Sequence, residues 1–263
     1  MELIIGQYVP RSSVIHRLDP RAKLIGVFLY VIIVFLANNW PTYALLAVFT
    51  ASGVALSNVP LRYIVRGLKP VLFLIVFTFV LNALFTHQGP ALFKFGWLEL
   101  TSAGFIQAVF ISIRLLVLIV ATTLLTLTTT PIDITDGLEQ LLSPLKKLRF
   151  PVHEFALMMA IALRFIPTLV EETEKIMKAQ TARGADFSSG SLVKRAKAIV
   201  PLLVPLFVGA FKRAEELAMA MEARGYRGDV GRTKWRLLQW QTRDTVLLAS
   251  IALLTAALVF LRG

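Results

Sequence analysis

Long apolar runs alternate with short polar connectors along most of this chain. After a polar, mixed segment ending at Lys23 come Leu24 to Ala37, the connector Asn38-Asn39-Trp40-Pro41, and a second apolar run from Tyr43 to about Val59. The pattern predicts a tight transmembrane hairpin, with each arm shorter than the roughly 20 residues a spanning helix takes. A basic loop with Arg62, Arg66 and Lys69 leads into a third run from Pro70 to about Phe85, closed by His87-Gln88-Gly89-Pro90. An amphipathic, aromatic loop continues to Gly104. A fourth run, Phe105 to about Thr130, is long enough to span and carries Arg114 inside it, and Thr245 to Leu261 forms the last run.

Residues 131–243 differ in character, because charged helical segments alternate there with shorter apolar stretches. Ala198 to Phe211 is interrupted by Pro201 and Pro205, and Phe155 to Val170 by Arg164 and Pro167. Apolar runs of about 10 to 14 residues belong more often to buried or interfacial helices than to spans, and an arginine at mid-bilayer is costly. The expected organisation is therefore an N-terminal arm with four transmembrane helices (1–130), a cytoplasmic or interfacial region of long helices (131–243), and a C-terminal transmembrane helix (244–263). The fold class is an all-α polytopic membrane protein with about five spans.

Composition supports this reading. The 263 residues are 56% hydrophobic and 17% charged, whereas soluble domains carry about 25% charged residues. Cysteine is absent, which removes disulfide frameworks and thiolate metal sites. The first 23 residues lack the apolar core of a signal peptide, so they are expected to be retained. A net charge of +12 suits either nucleic acid or an anionic membrane face. The distribution decides between them: of 28 Lys and Arg, four precede the first run, three lie in the second connector and eighteen between residues 131 and 243. By the positive-inside rule, five spans put the N-terminus and the 131–243 region in the cytoplasm, with the C-terminus across the membrane. Nucleic-acid binding is then unnecessary.

Familiar catalytic patterns fail against the residues present. No glycine is followed by lysine, so the chain has no phosphate-cradling P-loop. His153-Glu154 begins a zinc-protease pattern, but Leu157 stands where the second histidine is needed. The apolar runs contain no Asp or Glu, which argues against an ion-driven carrier. Glu171, Glu172 and Glu174 read as a solvated helix face with Lys175 and Lys178. Arg114 either faces a substrate path or pairs with a helix-end carbonyl. Ala47, Ala51 and Ala55 form a small-residue stripe, suited to close helix approach or to routine packing.

The 131–243 region also holds a repeat: Ala182-Arg183-Gly184 recurs 41 residues later as Ala223-Arg224-Gly225, superposing Glu174 on Glu215 and Ala179 on Ala220. Each copy closes a helical pattern, the first from near Val152 and the second from near Leu192. Glycine after the last turn and arginine within it are ordinary capping chemistry. Two matched copies also suit docking into two similar grooves: alanine permits close approach, arginine offers a planar fork of donors, and glycine turns the chain away.

The chain resembles the transmembrane T component of energy-coupling factor transporters, a class of ATP-binding-cassette importers. The segments that carry the resemblance are Leu18-Asp19-Pro20-Arg21-Ala22-Lys23 after His16, Leu163-Arg164-Phe165-Ile166-Pro167 before Glu171-Glu172, Ala179-Gln180-Thr181-Ala182-Arg183-Gly184, and Ala220 to Gly228. The resemblance implies a non-catalytic subunit of the prokaryotic plasma membrane, coupling two ABC-type ATPases to a membrane-embedded S component that binds a vitamin or other micronutrient. ATP and Mg would be bound by the ATPases, with no cofactor or metal on this chain. Ala182, Arg183 and Gly184 would dock on one ATPase and Ala223, Arg224 and Gly225 on the other, while Asp19, Pro20, Arg21, Arg114, Arg164 and Pro167 are candidate structural or coupling residues. A shared module and a dedicated cobalt or nickel permease both remain open. Outside the family, the competing readings are a self-contained secondary transporter or channel, and a membrane-bound enzyme.

Overall fold

A computed structural model of the chain describes residues 8–86, 91–95, 98–148, 150–187, 191–228 and 237–262. It divides into two compact units, Met1–Leu141 with Leu238–Gly263, and Leu142–Leu237.

The first unit holds α1 (Pro20–Val34), α2 (Trp40–Ser57), α3 (Leu61–Phe85), a short antiparallel pair β1 (Ala91–Phe95) and β2 (Leu98–Thr101), α4 (Ser102–Thr128), most of α5 (Pro131–Leu142) and the last helix, α8 (Thr242–Arg262). The helix starts follow local chemistry. Asp19 caps α1 by accepting from the Arg21 amide, with Pro20 in the first turn, where its missing N–H costs nothing. Asn39 and Thr42 form a capping box on α2, and Thr101 caps α4 through the Gly104 amide. Asn58 ends α2 with φ 53°, the left-handed geometry that asparagine tolerates.

The unit's main core gathers Tyr30, Val34, Leu46, Val117, Leu254 and Leu258, drawn from α1, α2, α4 and α8. A second cluster around Val59, Ile64, Val120 and Leu127 joins α3 to α4. The outward faces are apolar as well: Phe73 on α3 and Phe260 on α8 are 78% and 86% exposed, as expected of helices whose solvent is lipid.

The second unit holds a 3-10 helix (Ser143–Leu148), α6 (Val152–Ala182) and α7 (Leu192–Ala223). Five described helices are long and apolar enough to cross a membrane: α2, α3, α4, α6 and α8. The number matches the expectation, but the membership differs. The first apolar run forms a helix of only 15 residues, about 22 Å long against a hydrocarbon core near 30 Å. α6, expected as a long cytoplasmic or interfacial helix from near Val152 to Ala182, joins the five by length and composition alone and runs 31 residues straight through Arg164 and Pro167.

One further expectation changes. Arg62, Arg66 and Lys69, read as a loop, lie in the first turns of α3, which continues through Pro70. α7, expected from near Leu192 to Ala223, has those bounds and continues through Pro201 and Pro205. An internal proline frees one carbonyl and crowds the preceding turn, but the flanking turns keep their bonds and a long apolar helix absorbs the defect. Residues 87–90, which include His87, lie outside the described residues.

Candidate functional site

The two Ala-Arg-Gly motifs close α6 and α7 with the same backbone geometry. Arg183 has φ −88° and ψ 6°, and Arg224 φ −85° and ψ 6°. The glycines that follow take φ +88° (Gly184) and +71° (Gly225). At the first tip the Ala185 amide donates to the Gln180 carbonyl at 3.0 Å and Gly184 to Thr181 at 2.9 Å; at the second, Tyr226 donates to Met221 at 3.0 Å and Gly225 to Glu222 at 2.8 Å. These are two complete Schellman caps. A Cβ on either glycine would meet nothing within 4 Å, so glycine is required there by the positive φ alone.

Ala182, Arg183, Gly184, Ala223, Arg224 and Gly225 are all exposed. Among the described residues neither tip is packed into its own fold, and each offers a forked cation beside a small residue at the end of a long helix. α6 and α7 meet along Met158, Phe165 and Leu169 on one side and Ala214, Leu217 and Met221 on the other, around a cavity of about 390 Å³. Beside it Glu172 forms an ion pair with Arg213, which also donates from Nε to the Gly209 carbonyl at 3.2 Å. This corrects the reading of Glu172 as part of a purely solvated face. The partners are 41 residues apart, the same offset that superposes the two motifs. Equivalent positions of the two helices therefore touch, and each tip lies 11 residues beyond the contact (Glu172 to Arg183, Arg213 to Arg224), or about 16 Å along its helix. The two helices are thus joined at corresponding points. Arg164 and Pro167 are exposed on α6 and take no part in that seam.

In the first unit, Asp19, Pro20 and Arg21 belong to a buried polar node. Arg21 grips the Asp19 carboxylate with Nε at 3.0 Å and a terminal nitrogen at 2.9 Å, and its guanidinium lies 5.7 Å from the centre of the Trp240 ring. Asp244, 1% exposed, was missed by sequence reasoning. One of its carboxylate oxygens accepts the Asp19 amide at 2.8 Å and the other the Gln241 amide at 2.7 Å. A single carboxylate thus ties the starts of α1 and α8 together, where both helix dipoles favour negative charge. The only sequence signal was its position three residues after Gln241, the spacing of a capping box.

Lys23, 5% exposed, donates from Nζ to the Thr128 carbonyl at 2.9 Å and to Thr129 Oγ1 at 3.3 Å, capping the end of α4. Burial pulls its ammonium down to about 8, against the opposing influence of Asp133, Asp244 and Asp19. For Asp19, burial alone would raise the carboxyl, but the hydrogen bonds and charge of Arg21, with Lys23, hold it below its ordinary value. The arm before α1 is fixed at the same place: the Val9 amide donates to Leu127 at 3.0 Å, and His16 Nε2 donates back to the Val9 carbonyl at 3.1 Å. Burial keeps His16 below its ordinary value.

Arg114 resolves toward the structural of its two readings. It donates to the Ala37 carbonyl at 3.1 Å and to the Tyr43 hydroxyl at 2.8 Å, and lies 5.4 Å from the Phe35 ring centre. It closes the turn between α1 and α2. Its buried Nε has no partner among the described residues, and no group of three His, Asp or Glu stands together among them to hold a metal ion.

Comparison with known proteins adds a family to this geometry. The sequence profile of the cobalt transport protein family matches residues 11–235. The energy-coupling factor transporter transmembrane protein EcfT of Bacillus subtilis is 62% identical over 99% of this chain and 98% of its own length. Proteins of the same name from Exiguobacterium sibiricum and Lactococcus lactis are 53% and 47% identical, the first over 99% of both chains and the second over 98% of this chain and 97% of its own.

Proposed function

The chain belongs to the cobalt transport protein family, among the energy-coupling factor transporter transmembrane proteins, and from that premise we propose that it is the non-catalytic coupling subunit of an ATP-driven micronutrient importer. One cytoplasmic ATPase takes the Ala182-Arg183-Gly184 tip and a second takes Ala223-Arg224-Gly225, each bringing its own ATP and Mg. A membrane-embedded S component carries the vitamin or other micronutrient. The N-terminus and the coupling helices face the cytoplasm, in accord with the distribution of Lys and Arg.

The observation that carries this reading is the pair of exposed, superposable caps on helices joined at equivalent positions. Two similar partners, bound one per tip, account for both the match and the exposure. When the ATPases close on ATP, the tips approach, and a contact 11 residues away converts that approach into rotation of two long apolar helices. ATP drives the cycle only to the extent that it binds one arrangement better than the other. No step requires a reacting group on this chain.

The test is co-purification of co-expressed subunits. Arg183→Glu together with Arg224→Glu reverses both docking cations, and the ATPases should be lost from the purified chain while its thermal stability is unchanged. Each single variant should weaken retention of one ATPase more than the other. Full retention of both by the double variant would refute docking at the tips.

A further inference from the structure

We infer that the first unit binds one anionic phospholipid, with an acyl chain in a cavity among α1, α2, α4 and α8 and the phosphate at Arg243. The cavity measures about 360 Å³. Two of its lining side chains, Arg243 and Lys23, are cations, and among the described residues no Asp or Glu lines it. Arg243 is exposed in the first turn of α8, the depth at which a lipid phosphate sits relative to a helix that enters the membrane there. From Arg243 the wall descends along α8 through Leu247 to Ile251, two turns or about 12 Å.

The interior is mostly apolar, and its hydroxyls are already satisfied: Tyr30 and Thr50 bond one another at 2.6 Å, while Ser52, Thr128 and Ser250 donate to carbonyls of their own helices. Water would have few polar partners there and gains little by entering. Close helix packing does not account for the space either. A Cβ on Gly53, which lines it, would reach only Leu124 at 3.7 Å, an ordinary contact, so the glycine leaves room that the α2 and α4 backbones do not need. Gly26 on the opposite wall differs, since a Cβ there would press on Ile251 and Leu247 at 3.2 and 3.3 Å. An apolar slot with a cationic mouth and no acid in its described lining selects an amphiphile with one negative charge at its head.

The experiment uses the full chain in phosphatidylcholine vesicles containing phosphatidylglycerol with a photoactivatable group near the middle of one acyl chain. Crosslinked peptides should concentrate on Gly53–Leu56 and Val246–Ile251 rather than on the exposed Phe73–Phe77 face of α3. Unlabelled phosphatidylglycerol should compete about fivefold better than phosphatidylcholine, the advantage of one cation near the headgroup. Gly53→Leu should fill the slot and abolish the label on α8; Arg243→Gln, an exposed change that leaves the fold intact, should remove the preference for phosphatidylglycerol. Label spread evenly over all lipid-facing helices, equal competition by the two lipids, an Arg243→Gln variant with wild-type preference, or disappearance of the label once ATPases and S component are assembled would each overturn the assignment, the last by showing that a protein partner fills the slot.

Discussion

Replacing Asp244 tests whether one buried carboxylate holds the starts of two helices together. Asp244→Ala removes the acceptors of the Asp19 and Gln241 amides, which stand at 2.8 and 2.7 Å, and gives them no substitute. A buried donor left unsatisfied costs about 1–3 kcal/mol. The Asp19 amide is fully buried and carries the larger part, while the Gln241 amide, partly buried, recovers some of its loss from water. The expected destabilisation is about 2–5 kcal/mol. Asp244→Asn keeps the shape and one acceptor oxygen, so it should cost about 1–3 kcal/mol. At roughly 2–4 °C per kcal/mol for a chain of this size, the alanine variant should melt about 5–15 °C lower and the asparagine variant should fall between. Thermal unfolding of the purified chain in mild detergent, followed by tryptophan fluorescence, measures this directly. Trp240 sits beside Arg21 and reports the node itself. An alanine variant that melts with the wild type, or an asparagine variant worse than alanine, would refute the bridging role.

Lys23 gives a pH test: its folded value, about 8, lies below the ordinary lysine value, so between pH 8 and about 10.4 the unfolded chain binds more protons and this group's contribution to stability rises with pH, by about 3 kcal/mol at most. The melting difference between wild type and Lys23→Met should therefore shift in favour of wild type across that window, and parallel profiles would contradict it. Arg114→Met strands the Ala37 carbonyl and the Tyr43 hydroxyl and should cost about 2–3 kcal/mol. Uptake per folded molecule should keep its apparent substrate affinity, whereas a changed affinity would restore the substrate-path reading. Glu172 and Arg213 are both partly exposed, with side chains 31% and 24% accessible, so a double-mutant cycle should give a coupling of only about 0.5–1 kcal/mol. The charge-swapped pair, Glu172→Arg with Arg213→Glu, should recover transport lost by either single change, and failure to recover would separate the ion pair from lever function.

Much of the architecture was legible because its signals are local. Apolar runs of spanning length, the Asp19-Pro20 start and the glycine after each Ala-Arg pair need only a few consecutive residues to be understood. A Schellman cap closes through bonds to carbonyls three and five residues earlier, so its geometry is encoded within six positions. The segments from Leu18 to Lys23 and from Ala220 to Gly228 likewise pointed to the family by their order along the chain. Arg164 and Pro167 interrupt the apolar run without breaking the helix, which keeps the bounds expected from its closing Ala-Arg-Gly because many other turns hold it.

What tertiary structure decided are contacts between residues far apart in sequence. Asp244 meets Asp19 across 225 positions and Lys23 meets Thr128 across 105; neither partner advertises the other. Arg114 was ambiguous because an arginine in an apolar run takes its meaning from what lies opposite, here a helix end 77 residues earlier. Glu172 looked solvated for the same reason, although its partner stood at the motif's own 41-residue offset. Sequence specifies which backbone groups a helix end leaves unsatisfied; only the packing of helices determines which distant side chain satisfies them, because that choice follows from distance in space.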